Sequence, residues 1–124
     1  MGSIGLVIVS HSKHIAQGVV ELISEVAKDV PITYVGGTED RGIGTSFDQV
    51  DRVVSENPAD TLLAFFDLGS AKMNLEIVAD FSDKSIIINR VPIVEGAYTA
   101  AALLQAGAEL SVIQTQLAEL EINK

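Results

Sequence analysis

A chain of 124 residues with eight basic and seventeen acidic side chains carries a formal net charge of −9, the wrong sign for a surface that must neutralise nucleic-acid phosphates. Cysteine is absent, which removes disulfides, thiolate metal sites and cysteine nucleophiles and fits a cytoplasmic location. Hydrophobic residues make up 48%, rich enough for a sheet covered on both faces, yet no apolar run approaches the roughly 18 residues of a membrane span, so a single domain over residues 1–124 is expected.

The first element, Ile4 to Val9, is short and almost wholly aliphatic, the pattern of a fully buried strand. It runs into Ser10-His11-Ser12-Lys13-His14, a junction that holds both histidines of the chain. Ile15, Val19, Leu22, Ile23 and Val26 then recur at helical spacing, predicting a helix that finishes near Lys28. Pro31 to Val35 reads as a second, shorter strand. After it comes "GGTEDRGIGTS", four glycines in eleven positions, too glycine-rich for a regular element and longer than most connections. That loop is a candidate functional segment.

Ser46 can cap a second helix carrying Phe47, Val50, Val53 and Val54, and Pro58 ends it. Thr61 to Phe66 predicts a third buried strand, ending in Asp67-Leu68-Gly69-Ser70 before a helix with Met73, Ile77 and Val78 on one face. Ser85 to Asn89 is a fourth strand, and "RVPIVEG" reads as able to continue extended past Pro92, an extra edge strand near 91–95. Beyond Gly96, alanine and leucine dominate, with Gly107 dividing two helices or kinking one.

Strand and helix alternate throughout. The expected fold class is therefore α/β, a doubly wound, mainly parallel sheet with helices on both faces and right-handed crossovers. If the first strand is central, the order is 2-1-3-4 and the topological switch point lies beyond the carboxyl ends of strands 1 and 3. Ser10, His11 and Ser12 would meet Asp67, Leu68, Gly69 and Ser70 there.

An imidazole and a carboxylate at such a crevice suit a phosphoryl acceptor. Asp67 accepting from Nδ1–H would leave the Nε2 lone pair of His11 as the nucleophile, and amides at the helix starts around Ser12 and Ser70 would stabilise phosphate charge. The same residues fit a plainer reading, with His11 closing a strand and Asp67 an ordinary helix cap. His14 and Lys13 read as surface residues, and Arg41 as a phosphate or partner contact or a solvent-facing side chain. Other chemistries fare worse: there is no G-x-x-x-x-G-K-[ST] loop, no G-x-G-x-x-G after the first strand, and two histidines in one turn without matching carboxylates make a weak metal motif.

Taken together, "LVIVSHSKHIAQGVVEL", "YVGGTEDRGIGTSFDQV", "DLGSAKMNLE" and "VPIVEGAYTAAALLQAG" resemble the phosphoryl-donor subunits of bacterial dihydroxyacetone kinases, whose domain is similar to the IIA domain of mannose-class sugar phosphotransferase systems. The first stretch alone fits either group; the "GGTEDRGIGTS" loop favours the kinase subunit. The resemblance implies that His11 matches the phosphorylated histidine, taking phosphate from the phosphocarrier HPr and passing it to ADP on the kinase's nucleotide-binding subunit, and that Asp67 matches the carboxylate that orients it. It implies a homodimer with no cofactor of its own, ADP and Mg belonging to the partner subunit, and general phosphotransferase proteins supplied separately, since no HPr-like or enzyme I-like segment is appended. On this reading Ser12, Gly69 and Ser70 bind phosphate, and Thr38, Glu39, Asp40 and Arg41 dock the partner. A mannose-class IIA protein that feeds a IIB domain and a non-catalytic binding module are the alternatives. The apolar carboxyl-terminal stretch is the candidate dimer contact.

Overall fold

In a computed structural model that describes residues 3–124, the aliphatic opening forms β1 (Ile4–Ser10), whose residues from Gly5 to Ser10 are all buried. Such burial requires neighbours on both edges and both faces, and β1 has them. It pairs in parallel with β2 (Ile32–Gly36) on one side and β3 (Thr61–Phe66) on the other, and β3 pairs in parallel with β4 (Ser85–Asn89). The order is β2-β1-β3-β4, the order expected with the first strand central.

Because side chains alternate along a strand, β1 and β3 feed two separate cores. Leu6, Ile8, Leu63 and Phe65 point to one face, covered by α1 (Lys13–Ser24), α4 (Ile93–Gln105) and α5 (Leu110–Ala118). Val7, Val9, Leu62, Ala64 and Phe66 point to the other, covered by α2 (Phe47–Glu56) and α3 (Gly69–Phe81). Phe65 and Phe66 are fully buried, one on each face, and each such burial is worth about 1.5–3 kcal/mol. They hold the end of β3 rigidly just before Asp67.

Four local expectations change. The stretch 91–95 is not an edge strand: Pro92 is the N-cap of α4, the Gly96 amide donates to the Pro92 carbonyl at 2.8 Å, and the helix starts at Ile93. The fixed φ of proline suits a helix start, and a Cβ at Gly96 would collide with the Val91 side chain at 2.1 Å, so this glycine serves close packing and not extension. Helix α1 stops at Ser24, not Lys28; Val26 and Ala27 lie in the turns that follow, where buried Ala27 still completes the core. On α3 the buried face is Ala71, Leu75 and Val78, which leaves Met73 and Ile77 exposed. Ser46 occupies the N-cap position of α2, but its hydroxyl donates to Glu39 Oε1 at 2.7 Å and makes no cap bond. Helices α4 and α5 are separate, divided at Gly107.

Candidate active site

The register of the sheet assembles the site. Val9 lies opposite Phe66, so the next residues outward, Ser10 and Asp67, leave adjacent strands at the same level, with His11 one step beyond. Ser10 Oγ donates to Asp67 Oδ2 at 2.7 Å, and the His11 amide donates to the same oxygen at 2.9 Å. The other oxygen, Oδ1, lies 2.9 Å from His11 Nδ1 and accepts from the Leu68 amide at 2.7 Å.

Four donors therefore surround one carboxylate. Burial alone pushes the Asp67 carboxyl up, but the Ser10 hydroxyl, the His11 amide, the His11 ring and the Leu68 amide together hold it below the ordinary carboxylate value. An ionised carboxylate only accepts, so in the neutral imidazole Nδ1 carries the proton and Nε2 the lone pair. The Ser70 hydroxyl, at the first turn of α3, is hydrogen-bonded to that Nε2. His11 and Asp67 side chains are only 15% and 13% exposed, so the pair is held against the protein while Nε2 faces the rim.

Ser12 caps α1: its hydroxyl accepts from the Ile15 amide at 3.4 Å and its own amide donates to Ser10 Oγ at 3.0 Å. With the Ser12 amide so engaged, the helix-start amides of Gly69 and Ser70 are the donors left for an incoming anion. A Cβ built at Gly69 would meet nothing within 4 Å beyond its chain neighbours, so this position faces open space. His14 and Lys13 are exposed on the first turn of α1.

The glycine-rich loop is stapled to this site. The Gly37 amide donates to the Ser10 carbonyl at 3.2 Å, the Gly44 amide to the His11 carbonyl at 2.9 Å, and Asn74 Nδ2 of α3 to Thr45 Oγ1 at 2.7 Å. A Cβ at Gly36 would sit 2.3 Å from the Ser12 carbonyl oxygen and 2.7 Å from Lys13 Cα; only glycine lets the end of β2 approach the start of α1 so closely. Thr38 to Gly42 is a tight turn, with Arg41 at φ +68° and the Thr38 hydroxyl bonded to Asp40. The Thr38 hydroxyl, then the Gly42 amide, hold the exposed Asp40 carboxyl below its usual value. Lys13, Arg41 and Arg52 line a hollow of about 290 Å³, together with Thr38 and Glu39.

Structure thus brings His11, Asp67, Gly69 and Ser70 together, with Ser12 adjoining and Thr38 to Arg41 on the neighbouring loop. Ser10 belongs to the crevice by sequence, but its role as a donor to Asp67 needs the register of β1 and β3. The exposure of three apolar side chains on the loop and at α3 is not foreseen from sequence: Ile43 is 79%, Leu68 60% and Met73 63% exposed. Lys124, whose Nζ donates to the Phe66 carbonyl, could not be found from any local pattern. Among the described residues no group of three His, Cys, Asp or Glu side chains could hold a metal ion, and no helix is long and apolar enough to cross a membrane.

Known proteins resemble this chain in sequence and in fold. The family EIIA-man, the fructose IIA component of the phosphotransferase system, matches residues 5–114. The chain is 55% identical over 120 residues to the phosphotransferase subunit DhaM of the PTS-dependent dihydroxyacetone kinase of Lactococcus lactis subsp. lactis, covering 97% of this chain and 98% of that one. It is 52% identical over 118 residues to the phosphoryl donor subunit DhaM of PEP-dependent dihydroxyacetone kinase 1 of Listeria innocua serovar 6a, covering 95% of each. A crystal structure of a protein of unknown function has the same fold, with a TM-score of 0.84 at 26% identity over 98% of this chain and 97% of that one. With a buried strand delivering a histidine to a four-donor carboxylate on a 2-1-3-4 sheet, and with these relatives, the chain belongs to the DhaM family of mannose-class IIA-like proteins.

Proposed function

We propose that this chain is the phosphohistidine relay subunit of a phosphoenolpyruvate-dependent dihydroxyacetone kinase, with His11 as the carrier. The observation that supports it most is the 2.9 Å contact between His11 Nδ1 and Asp67 Oδ1, which leaves Nε2 free to act. In the first step the Nε2 lone pair attacks the phosphorus of phosphorylated HPr; the new N–P bond forms as the donor's N–P bond breaks. The proton on Nδ1 stays in place. The ring becomes a phosphoimidazolium whose positive charge faces the Asp67 carboxylate, an arrangement that keeps the bond easy to break.

Ser70 turns from Nε2 to a phosphoryl oxygen, and the free amides at the α3 start, from Gly69 and Ser70, stabilise its charge together with the α1 start capped by Ser12. In the second step an oxygen of the β-phosphate of ADP, held on the nucleotide-binding kinase subunit, attacks the phosphorus. The Nε2–P bond breaks and its electron pair returns to the ring. Such transfer depends on positioning and charge.

A relay must meet two proteins in turn, and the exposed Ile43 of the loop and Leu68 and Met73 at the start of α3 give it apolar contacts. Thr38, Glu39, Asp40 and Arg41 form the docking turn for the kinase subunit. Replacing Glu39, Asp40 and Arg41 together by alanine should slow transfer to that subunit roughly tenfold, and more than it slows uptake from HPr; equal effects on both steps would remove the loop from partner choice. The chain works as a homodimer through α4 and α5, where Val94, Tyr98 and Val112 stand exposed. Sedimentation at micromolar concentration should give twice the chain mass, and a monomer there would end this part of the proposal.

The acceptor is tested by preparing the phosphorylated chain and offering it the ADP-loaded kinase subunit or a IIB domain of a sugar transporter. ATP formation with the first and no transfer to the second is the expected result. Transfer to the IIB domain alone would make the chain a sugar-system IIA component with the same histidine chemistry.

A further inference from the structure

The segment after α5 returns across the carboxyl edge of the sheet. The Ile122 amide donates to the Arg90 carbonyl at 2.8 Å, and the Arg90 guanidinium lies 3.8 Å from the Glu121 carboxylate, so the segment is fixed beside the end of β4. It delivers Lys124 to the back of the site. Lys124 Nζ donates to the Phe66 carbonyl at 2.7 Å, lies 3.4 Å from the Asp67 carbonyl, and sits 4.4 Å from the centre of the Phe66 ring.

This placement is unusual for a lysine, which ordinarily keeps its ammonium in water. Two carbonyls and an aromatic face replace part of the hydration shell. Burial lowers the Lys124 ammonium below its usual value, and the nearby negative charge of Asp67 works in the opposite direction. The carbonyls concerned mark the point where β3 ends and the chain turns into α3. The ladder between β3 and β4 stops at Phe65 and Asn89, one residue short of Phe66, and Lys124 supplies a donor at the next carbonyl. The backbone that carries Asp67 is therefore gripped from both sides: His11 and Ser10 bind its carboxylate in front, and Lys124 binds its peptide carbonyls behind.

We propose that Lys124 is a positioning residue for the His11–Asp67 pair: its ammonium fixes the end of β3 so that the Asp67 carboxylate stays in line with His11 Nδ1–H and the lone pair stays on Nε2. The proposal rests on His11 being the phosphoryl carrier. Other cations near His11, such as Lys13, stand on the α1 and loop side and make no contact with the peptide carbonyls of Phe66 and Asp67 among those described.

The test reads the two ring nitrogens of His11 by nitrogen-15 NMR in the unphosphorylated chain, and separately the rate of phosphate uptake. In the wild type a single neutral form with the proton on Nδ1 is expected. Lys124→Met should give a mixture of the two neutral forms and slow uptake roughly tenfold, the order expected for loss of one hydrogen bond to a charged group. Lys124→Arg, which keeps a cationic donor, should restore the single form. An unchanged ring signature in Lys124→Met, whatever the rate, overturns the proposal, and so does an equal loss in both variants. Because the signature is read before any phosphate is added, a chain that takes up no phosphate would defeat the relay reading while leaving the Lys124 result standing.

Discussion

His11→Ala should abolish phosphate uptake completely, because among the described residues no other side chain at the crevice offers a nitrogen lone pair. His14 is one turn further along α1, exposed and without a carboxylate partner among the described contacts, so it should not substitute. Intact-mass analysis after incubation with phosphoenolpyruvate, enzyme I and HPr should show one acid-labile phosphate on the wild type and none on the variant. The fold should survive, since His11 lies at the rim beyond the buried part of β1. A variant that still carried one phosphate would move the nucleophile elsewhere.

Asp67→Asn should leave uptake measurable but reduced by about 10²–10⁴-fold, the range for a positioned acid–base group. An amide at this position can present an N–H to Nδ1 and place the ring proton on Nε2, where it blocks attack. The change also weakens the acceptors used by Ser10 and by the His11 and Leu68 amides, so the junction itself loosens. The stability of the two proteins should converge in acid. Asp67 is held below its ordinary value in the fold, so its contribution is complete above the unfolded value of about 3.9 and is lost as pH falls through the lower folded value. Thermal melts of wild type and Asp67→Asn from pH 7 down to pH 3 check this; a gap that stayed constant through that range would mean the carboxylate charge is not what binds the junction.

The architecture was legible because the strands announce themselves. Ile4 to Val9, Thr61 to Phe66 and Ser85 to Asn89 are aliphatic or aromatic runs too short for helices, separated by segments with helical periodicity, and such alternation leaves few topologies. The order 2-1-3-4 then brings His11 and Asp67 to one crevice. Local signals misled where tertiary packing decides. Pro92 can stand in an extended strand or at a helix start, and the close packing of Gly96 on Val91 together with the Gly96 amide's bond to the Pro92 carbonyl goes with the helix. Met73 and Ile77 have the right spacing for a buried face, but α3 turns Ala71, Leu75 and Val78 inward because small and branched residues fit over the sheet. Met73 is then left exposed.

Residues that act through distant backbone were the hardest to see. Ser10 lies next to His11 in sequence, yet its hydrogen bond to Asp67 depends on the pairing of Val9 with Phe66. Lys124 is separated from Phe66 and Asp67 by most of the second half of the chain and carries no motif. The loop was legible as irregular from its glycines, but its rigidity was not: the Thr38–Gly42 turn and the bonds of Gly37 and Gly44 to β1's exit make it a fixed surface around the site.

The chemistry turns on which ring nitrogen of His11 carries the phosphate, and phosphorus-31 NMR of the phosphorylated chain at alkaline pH distinguishes the two isomers. With Nδ1 engaged by Asp67, the resonance should be that of phosphate on Nε2, with no second phosphohistidine signal. Phosphate on Nδ1, or the absence of any phosphohistidine, would contradict the role assigned to the His11–Asp67 pair.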